Sequence, residues 1–208
     1  MPIENQKSPS DPNQAGIHAH NVLSNLYKFR PPYLKDFFNE LSIKLKLSER
    51  DTVLDLCCGR GELADGVHDS VKHAFAIDGS DGMLLNAIQN SNVTFYNANV
   101  NSGILPIKEK VNNILIGTAI HWIRDYALTP ILDEYLLPDG KVCMIHRSMD
   151  FDDKDFNVPL RNLNAKYQKK VDYKPVFTGY AKMQRRGFQE IEKITIKRKI
   201  KFDLEYLY

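Results

Sequence analysis

Apolar positions along the chain change their period several times, and each change marks a new element. After Pro31 and Pro32, Leu34, Phe37, Phe38 and Leu41 recur three and four residues apart, which predicts an amphipathic helix opened by the prolines. Val53, Leu54 and Leu56 then form a short apolar run that stops at Cys57-Cys58-Gly59-Arg60-Gly61, a strand running into a tight turn. Leu63, Ala64 and Val67 return to helical spacing. Ala74 to Ile77 predicts a second strand that ends at Asp78, and Ser80 is placed to cap a helix carrying Met83, Leu84, Ala87 and Ile88. Further strands are expected at Val93–Tyr96, Ile114–Gly117 and Val142–His146, with a helix over about Tyr126–Leu136 and a turn at Leu137-Pro138-Asp139-Gly140. Strand and helix alternate throughout. That order implies an α/β, doubly wound, parallel sheet whose right-handed crossovers leave the ligand site beyond the carboxyl ends of the strands.

The two ends of the chain read differently. Residues 1–15 hold Ser8, Pro9, Ser10 and Pro12 among Asn and Gln, a disordered leader that buries too little to order itself. Residues 16–208 are expected to form one domain, which their length allows. Near the end, Ile194, Ile196, Arg198, Ile200 and Phe202 alternate with Lys193, Thr195, Lys197, Lys199 and Lys201, the pattern of a late strand with one wet face.

Composition narrows the class. The chain has 208 residues, a net charge of +2 and 43% hydrophobic residues, ordinary values for a globular protein. No stretch approaches the roughly 20 apolar residues of a membrane helix. Three cysteines, with Cys57 adjacent to Cys58 and Cys143 far off, match no disulfide framework or metal spacing, so a reducing cytoplasm and no metal are expected. The small net charge hides an asymmetry: Arg161 to Lys201 carries 13 Lys and Arg against 3 acids. Such a segment is either a solvated face or a surface for anions, RNA included.

Candidate chemistry gathers after the first strand. Small residues there let a backbone approach a ligand before the next helix begins, and Gly59-x-Gly61-x-x-Ala64 also satisfies the dinucleotide fingerprint. Asp55 separates the two readings. A carboxylate in the strand's last turn accepts from an ammonium group but repels a pyrophosphate. Asp78 ends the second strand, where an acid can accept both hydroxyls of a ribose.

These residues resemble motif I of class I S-adenosylmethionine-dependent methyltransferases, usually Asp-x-Gly-Cys-Gly-x-Gly, and Asp78 resembles their motif II acid. Tyr27-Lys28-Phe29-Arg30-Pro31-Pro32-Tyr33 is similar to a Tyr-Arg-Pro-x-Tyr lead-in, Ala119-Ile120-His121-Trp122 to the segment after the fourth strand, and Leu137-Pro138-Asp139-Gly140 to Leu-x-Pro-Gly-Gly. The set points to the branch containing trans-aconitate methyltransferase and other small-molecule enzymes. Cys57 departs from the pattern by replacing the first glycine, which requires a φ angle that is negative or tolerated.

The resemblance implies a Rossmann-like fold, S-adenosylmethionine as cofactor, and lid elements at about 16–48 and 148–182. It implies cofactor contacts from Tyr27, Arg30, Asp55, Cys57, Cys58, Gly59, Gly61, Asp78, Gly79, Ser80, Met83, Thr118, His121 and Trp122, with Asn99 or Asn97 at the adenine amino group. The acceptor is expected to be a small molecule, a carboxylate first, with Arg30, Tyr33, His121 and Arg147 as candidate catalytic residues. An RNA acceptor held by the basic 161–201 segment, and a cofactor-binding protein without turnover, are the alternatives. Oligomeric state is left open. Members of the family usually continue through a further helix and an antiparallel strand, so a sheet lacking that last strand is expected.

Overall fold

The computed structural model describes residues 12–147, 183–184, 187–188, 192 and 194–196. Five parallel strands form one sheet in the order β3-β2-β1-β4-β5: β1 Thr52–Leu56, β2 His73–Asp78, β3 Val93–Asn97, β4 Val111–Gly117 and β5 Leu136–Ile145. Every residue of β1 is buried, the mark of a central strand covered on both faces. Its side chains alternate between two cores: Leu54 and Leu56 join Ile77, Ile114, Ile116 and Leu128 on one face, and Val53 joins Ala64, Val67, Ala74 and Leu115 on the other. The helices supply those cores: α2 Lys35–Leu45 and α3 Glu62–Val67 on one side, α5 Asp125–Tyr135 on the other, with α4 Asp81–Leu85 between β2 and β3 in sequence.

Strand order reverses between β1 and β4, which pair through Val53↔Asn113, Leu54↔Ile114 and Asp55↔Leu115. The loops leaving two neighbouring strands therefore diverge to opposite faces, and the crevice between them opens at the carboxyl ends.

Three expectations change in detail. The turn at Leu137–Gly140 lies inside the bounds of β5, because Val111 pairs with Leu136 and Asn113 with Lys141. Two steps along β4 thus face five along β5, and the turn residues bulge out of the ladder. Ser80 caps α4 as expected, its Oγ accepting from Met83 N–H at 3.2 Å, but the helix ends at Leu85. Beyond it the Ile88 amide donates to the Arg60 carbonyl at 3.0 Å and leaves the helical pattern. The third change is α1, Pro12–Leu23, where no helix was expected and which takes in residues 12–15 of the expected leader. Proline suits a first helical position, since its fixed φ is already helical and its missing N–H has no partner to lose there.

Apart from 194–196, which carry no strand, the alternating segment from Lys193 to Phe202 lies outside the described residues, as do most of the basic Arg161–Lys201 stretch and the expected lid at 148–182. Among the described residues no helix is long and apolar enough to cross a membrane, and no cluster of His, Cys, Asp and Glu has the arrangement of a metal site. Cys57, Cys58 and Cys143 are all free thiols.

Candidate functional site

The crevice at the switch point is an open pocket with about 1050 Å³ of empty space including its mouth. Its floor is the β1 turn. Asp55 is 1% exposed, and its Oδ2 accepts the Ala64 N–H at 3.2 Å, so a strand carboxylate satisfies an amide in the first turn of α3. Its Oδ1 is buried with no hydrogen-bond partner. Burial pushes this carboxyl up to about 8, with the Ala64 amide opposing and Asp78 adding to the rise. An unpartnered acid beside a ligand pocket is a place prepared for a donor that the ligand brings.

Asp78 forms the adjacent wall. Its Oδ2 accepts Gly59 N–H at 2.7 Å and its Oδ1 accepts Ser80 N–H at 2.8 Å, so one carboxylate ties the β1 turn to the β2 turn. Burial raises its pKa, while the Gly59 and Ser80 amides pull the other way. Each oxygen keeps a second lone pair for a ligand hydroxyl.

The backbone of the turn is in the left-handed region at Cys57 (φ 56°), Gly59 (φ 58°) and Gly61 (φ 79°). Of the two expected alternatives, a negative angle or a tolerated positive one, Cys57 shows the second, at a cost of about 1–2 kcal/mol. Thr118, after β4, is left-handed too (φ 54°), unusual for a β-branched residue, and its buried Oγ1 has no partner. Strain and an orphaned hydroxyl both sit on the pocket wall.

Most sequence-predicted residues converge here. Tyr27, Arg30 and Tyr33 line the pocket, as do Cys57, Cys58, Gly59, Asp78, Gly79, Ser80, Met83, Asn99, Thr118, Trp122 and Arg147. Three do not. Gly61 lies beneath the turn, where an added Cβ would come within 2.5 Å of the Phe95 ring, so its role is packing. Asn97 is exposed and donates to Asp81 at 2.5 Å, which leaves Asn99 as the residue at the pocket. His121 is exposed beside Trp122 and does not line the pocket, whereas Trp122 does.

Arg147 is also placed differently from a free cation. Its guanidinium lies 3.8 Å over the Tyr33 ring, donates to the Pro31 carbonyl and faces Glu62 at 3.5 Å. It joins the end of β5 to the lead-in segment and to α3. Tyr33 is thereby held over the end of β4, its hydroxyl 3.6 Å from where a Cβ on Gly117 would stand. Arg30 is exposed, stacks 5.6 Å from the centre of the Tyr27 ring and has no ion pair among the described residues.

The roof of the pocket is α1, through Gly16, Ile17 and His20. Ile17 contacts Gly79, and Gly16 leaves room for the Trp122 ring, which an added Cβ would meet at 2.8 Å. Asn21 docks the helix, its Oδ1 accepting from Ser80 Oγ at 2.6 Å and from Gly82 N–H at 2.9 Å. His20, Glu62 and Asn101 line the pocket without having been singled out from the sequence, which offered the second histidine of His18-Ala19-His20, a helix-start acid and an asparagine in a run of them.

Residues 53–137 match the family described as methyltransferase domain. No curated protein matches the chain. Among solved structures, a candidate type II methyltransferase from Anaeromyxobacter dehalogenans is 19% identical over 81% of this chain and 70% of its own, with a TM-score of 0.55. A candidate methyltransferase from an antibiotic biosynthesis pathway of Anabaena variabilis is 15% identical over 72% of this chain and 60% of its own, with a TM-score of 0.52. A methyltransferase from Thiobacillus denitrificans, solved with S-adenosyl-L-homocysteine, is 22% identical over 61% of this chain and 54% of its own, with a TM-score of 0.49. The chain spans less than two thirds of the length of the last two. Residues 53–137 thus resemble a methyltransferase domain, and the sheet has the Rossmann-like α/β fold of class I methyltransferases.

Proposed function

We propose that the chain is an S-adenosylmethionine-dependent methyltransferase acting on a small molecule, with a carboxylate as the first acceptor class to test. The observation that carries the cofactor reading is the pair of acids at the strand ends: Asp55 with one buried oxygen unpartnered, and Asp78 with spare acceptor capacity. A zwitterionic nucleoside brings an ammonium for the first and a ribose hydroxyl for the second. Gly59 fits the same ligand, since a Cβ there would meet nothing within 4 Å and the backbone stands open to the pocket. A dinucleotide pyrophosphate fits poorly beside two carboxylates.

The cofactor supplies a methyl group already activated on a sulfonium, so the protein's task is alignment and exclusion of water. Asn99 stands where an adenine amino group can be met, although its Oδ1 already accepts the Asn101 N–H at 2.9 Å and has one lone pair to give. Arg30 is the uncompensated cation for an acceptor carboxylate. Arg147, neutralised by Glu62, holds Tyr33 in place instead. An acceptor that arrives as a carboxylate needs no base, in keeping with the position of His121 outside the pocket.

The test is direct. S-adenosylmethionine or S-adenosylhomocysteine should raise the melting temperature by mass action, and NAD should not. Isotopically labelled cofactor, incubated with the protein and separated small-molecule and RNA pools from extract, then identifies the acceptor class. Stabilisation by NAD alone, or label entering RNA alone, refutes the corresponding half of the proposal.

A further inference from the structure

Among the described residues His20 is the one imidazole that lines the pocket. It lies one helical turn from Gly16 on the same face of α1, and its Nδ1 stands 2.8 Å from the Gly16 carbonyl oxygen. A carbonyl only accepts, so Nδ1 carries the hydrogen, and in the neutral ring Nε2 is left with a free lone pair. Two rings fix the imidazole from the sides: Trp122 meets it edge-on at 5.5 Å between centroids, and Tyr27 tilts against it at 5.8 Å. The ring is half-buried, and Asp78, whose carboxyl is raised chiefly by burial, feels His20 as an opposing influence. Imidazole and carboxylate thus approach one pocket from the roof and from the wall.

Packing alone does not require this chemistry. A phenylalanine at position 20 would fill the space between Tyr27 and Trp122 equally well, whereas the nitrogen directed away from Gly16 has no hydrogen-bond partner among the described residues.

We propose that His20 is a cofactor-contacting residue that accepts, through Nε2, a hydrogen bond from one ribose hydroxyl while Asp78 accepts from the other. The proposal rests on the reading of the pocket as an S-adenosylmethionine site and adds to it a contact from α1. The roof then reads the sugar as well as covering it.

The experiment is calorimetric titration of the full chain with S-adenosylhomocysteine and with its 2′-deoxy and 3′-deoxy analogues, for wild type, H20F and H20Q. Loss of one hydrogen bond should weaken S-adenosylhomocysteine binding to H20F about 3- to 10-fold. The penalty for removing one particular hydroxyl, present in wild type, should shrink by a similar factor in H20F and persist in H20Q, whose amide oxygen restores an acceptor. A purely structural His20 would leave that hydroxyl penalty unchanged in H20F, and this result, or wild-type affinity in H20F, overturns the proposal. If H20F does not fold, the H20Q comparison decides: a hydroxyl penalty that vanishes in H20Q overturns it too. Failure of the wild-type chain to bind S-adenosylhomocysteine overturns the methyltransferase reading as well, and only that result does so.

Discussion

Asp55 is the side chain whose charge should differ most between the free protein and its complex. In the free protein burial pushes its carboxyl up to about 8, so at pH 7 about nine-tenths of the molecules hold a proton there. An ammonium brought against Oδ1 stabilises the ionised form and expels that proton, so binding at pH 7 should release close to one proton. Affinity should correspondingly rise nearly tenfold between pH 6 and pH 7. Stability of the free protein moves the opposite way. The unfolded chain loses this proton near pH 4 and the folded one only near pH 8, so the unfolded state binds fewer protons between these limits. Each pH unit in that window costs up to about 1.4 kcal/mol of stability, a loss complete once pH passes the folded value. Titration with S-adenosylhomocysteine at pH 7 in buffers of different ionisation enthalpy gives the proton count directly. Asp55→Asn should abolish the release while flattening the pH dependence of the melting temperature. A count below about 0.3 in wild type would show that Asp55 is already ionised and refute the account.

Other substitutions separate the site from the scaffold. Asp78→Ala should weaken S-adenosylhomocysteine by about 1–3 kcal/mol in calorimetry, and because it also frees the Gly59 and Ser80 amides it should lower the melting temperature; unchanged affinity would remove Asp78 from the site. Gly61→Ala should cost about 2–4 kcal/mol in denaturant unfolding, combining a left-handed backbone with a clash against Phe95, and Gly59→Ala, with open space around its Cβ, should cost clearly less. Thr118→Val removes a buried hydroxyl that lacks a partner and should stabilise the free protein by about 1 kcal/mol, read as a higher melting temperature; a fall would mean that the hydroxyl has a partner in solution.

The sheet was legible because its strands are buried on both sides and read as short apolar runs bounded by turn residues. Val53–Leu56 and Ala74–Ile77 fall within β1 and β2 for that reason. Asp55 and Asp78 were legible for another: an acid at the end of an apolar strand has no packing rationale. What the chain did not disclose depends on tertiary partners. Helix α1 has no acid in its first turn and an interior glycine, and its docking is provided by Asn21 on Ser80 and Gly82, residues 59 and 61 positions away. Arg147 looked like a free cation because Glu62 and the Pro31 carbonyl approach it only in the folded chain. The left-handed angle at Cys57 was likewise invisible, since cysteine carries no signal for it, whereas the glycine usual at that position would have done.

The Asn21 contact makes the roof and the floor of the pocket separable by a cut. All five strands lie beyond Arg50, so a chain shortened to begin at Ser24 would retain the whole sheet while losing Gly16, Ile17 and His20. It would also leave the Ser80 hydroxyl and the Gly82 amide facing water at the mouth of a nucleoside site. Protease trimming ahead of Ser24 would therefore cost circular dichroism one helix and no strand, and every ligand titration would register it.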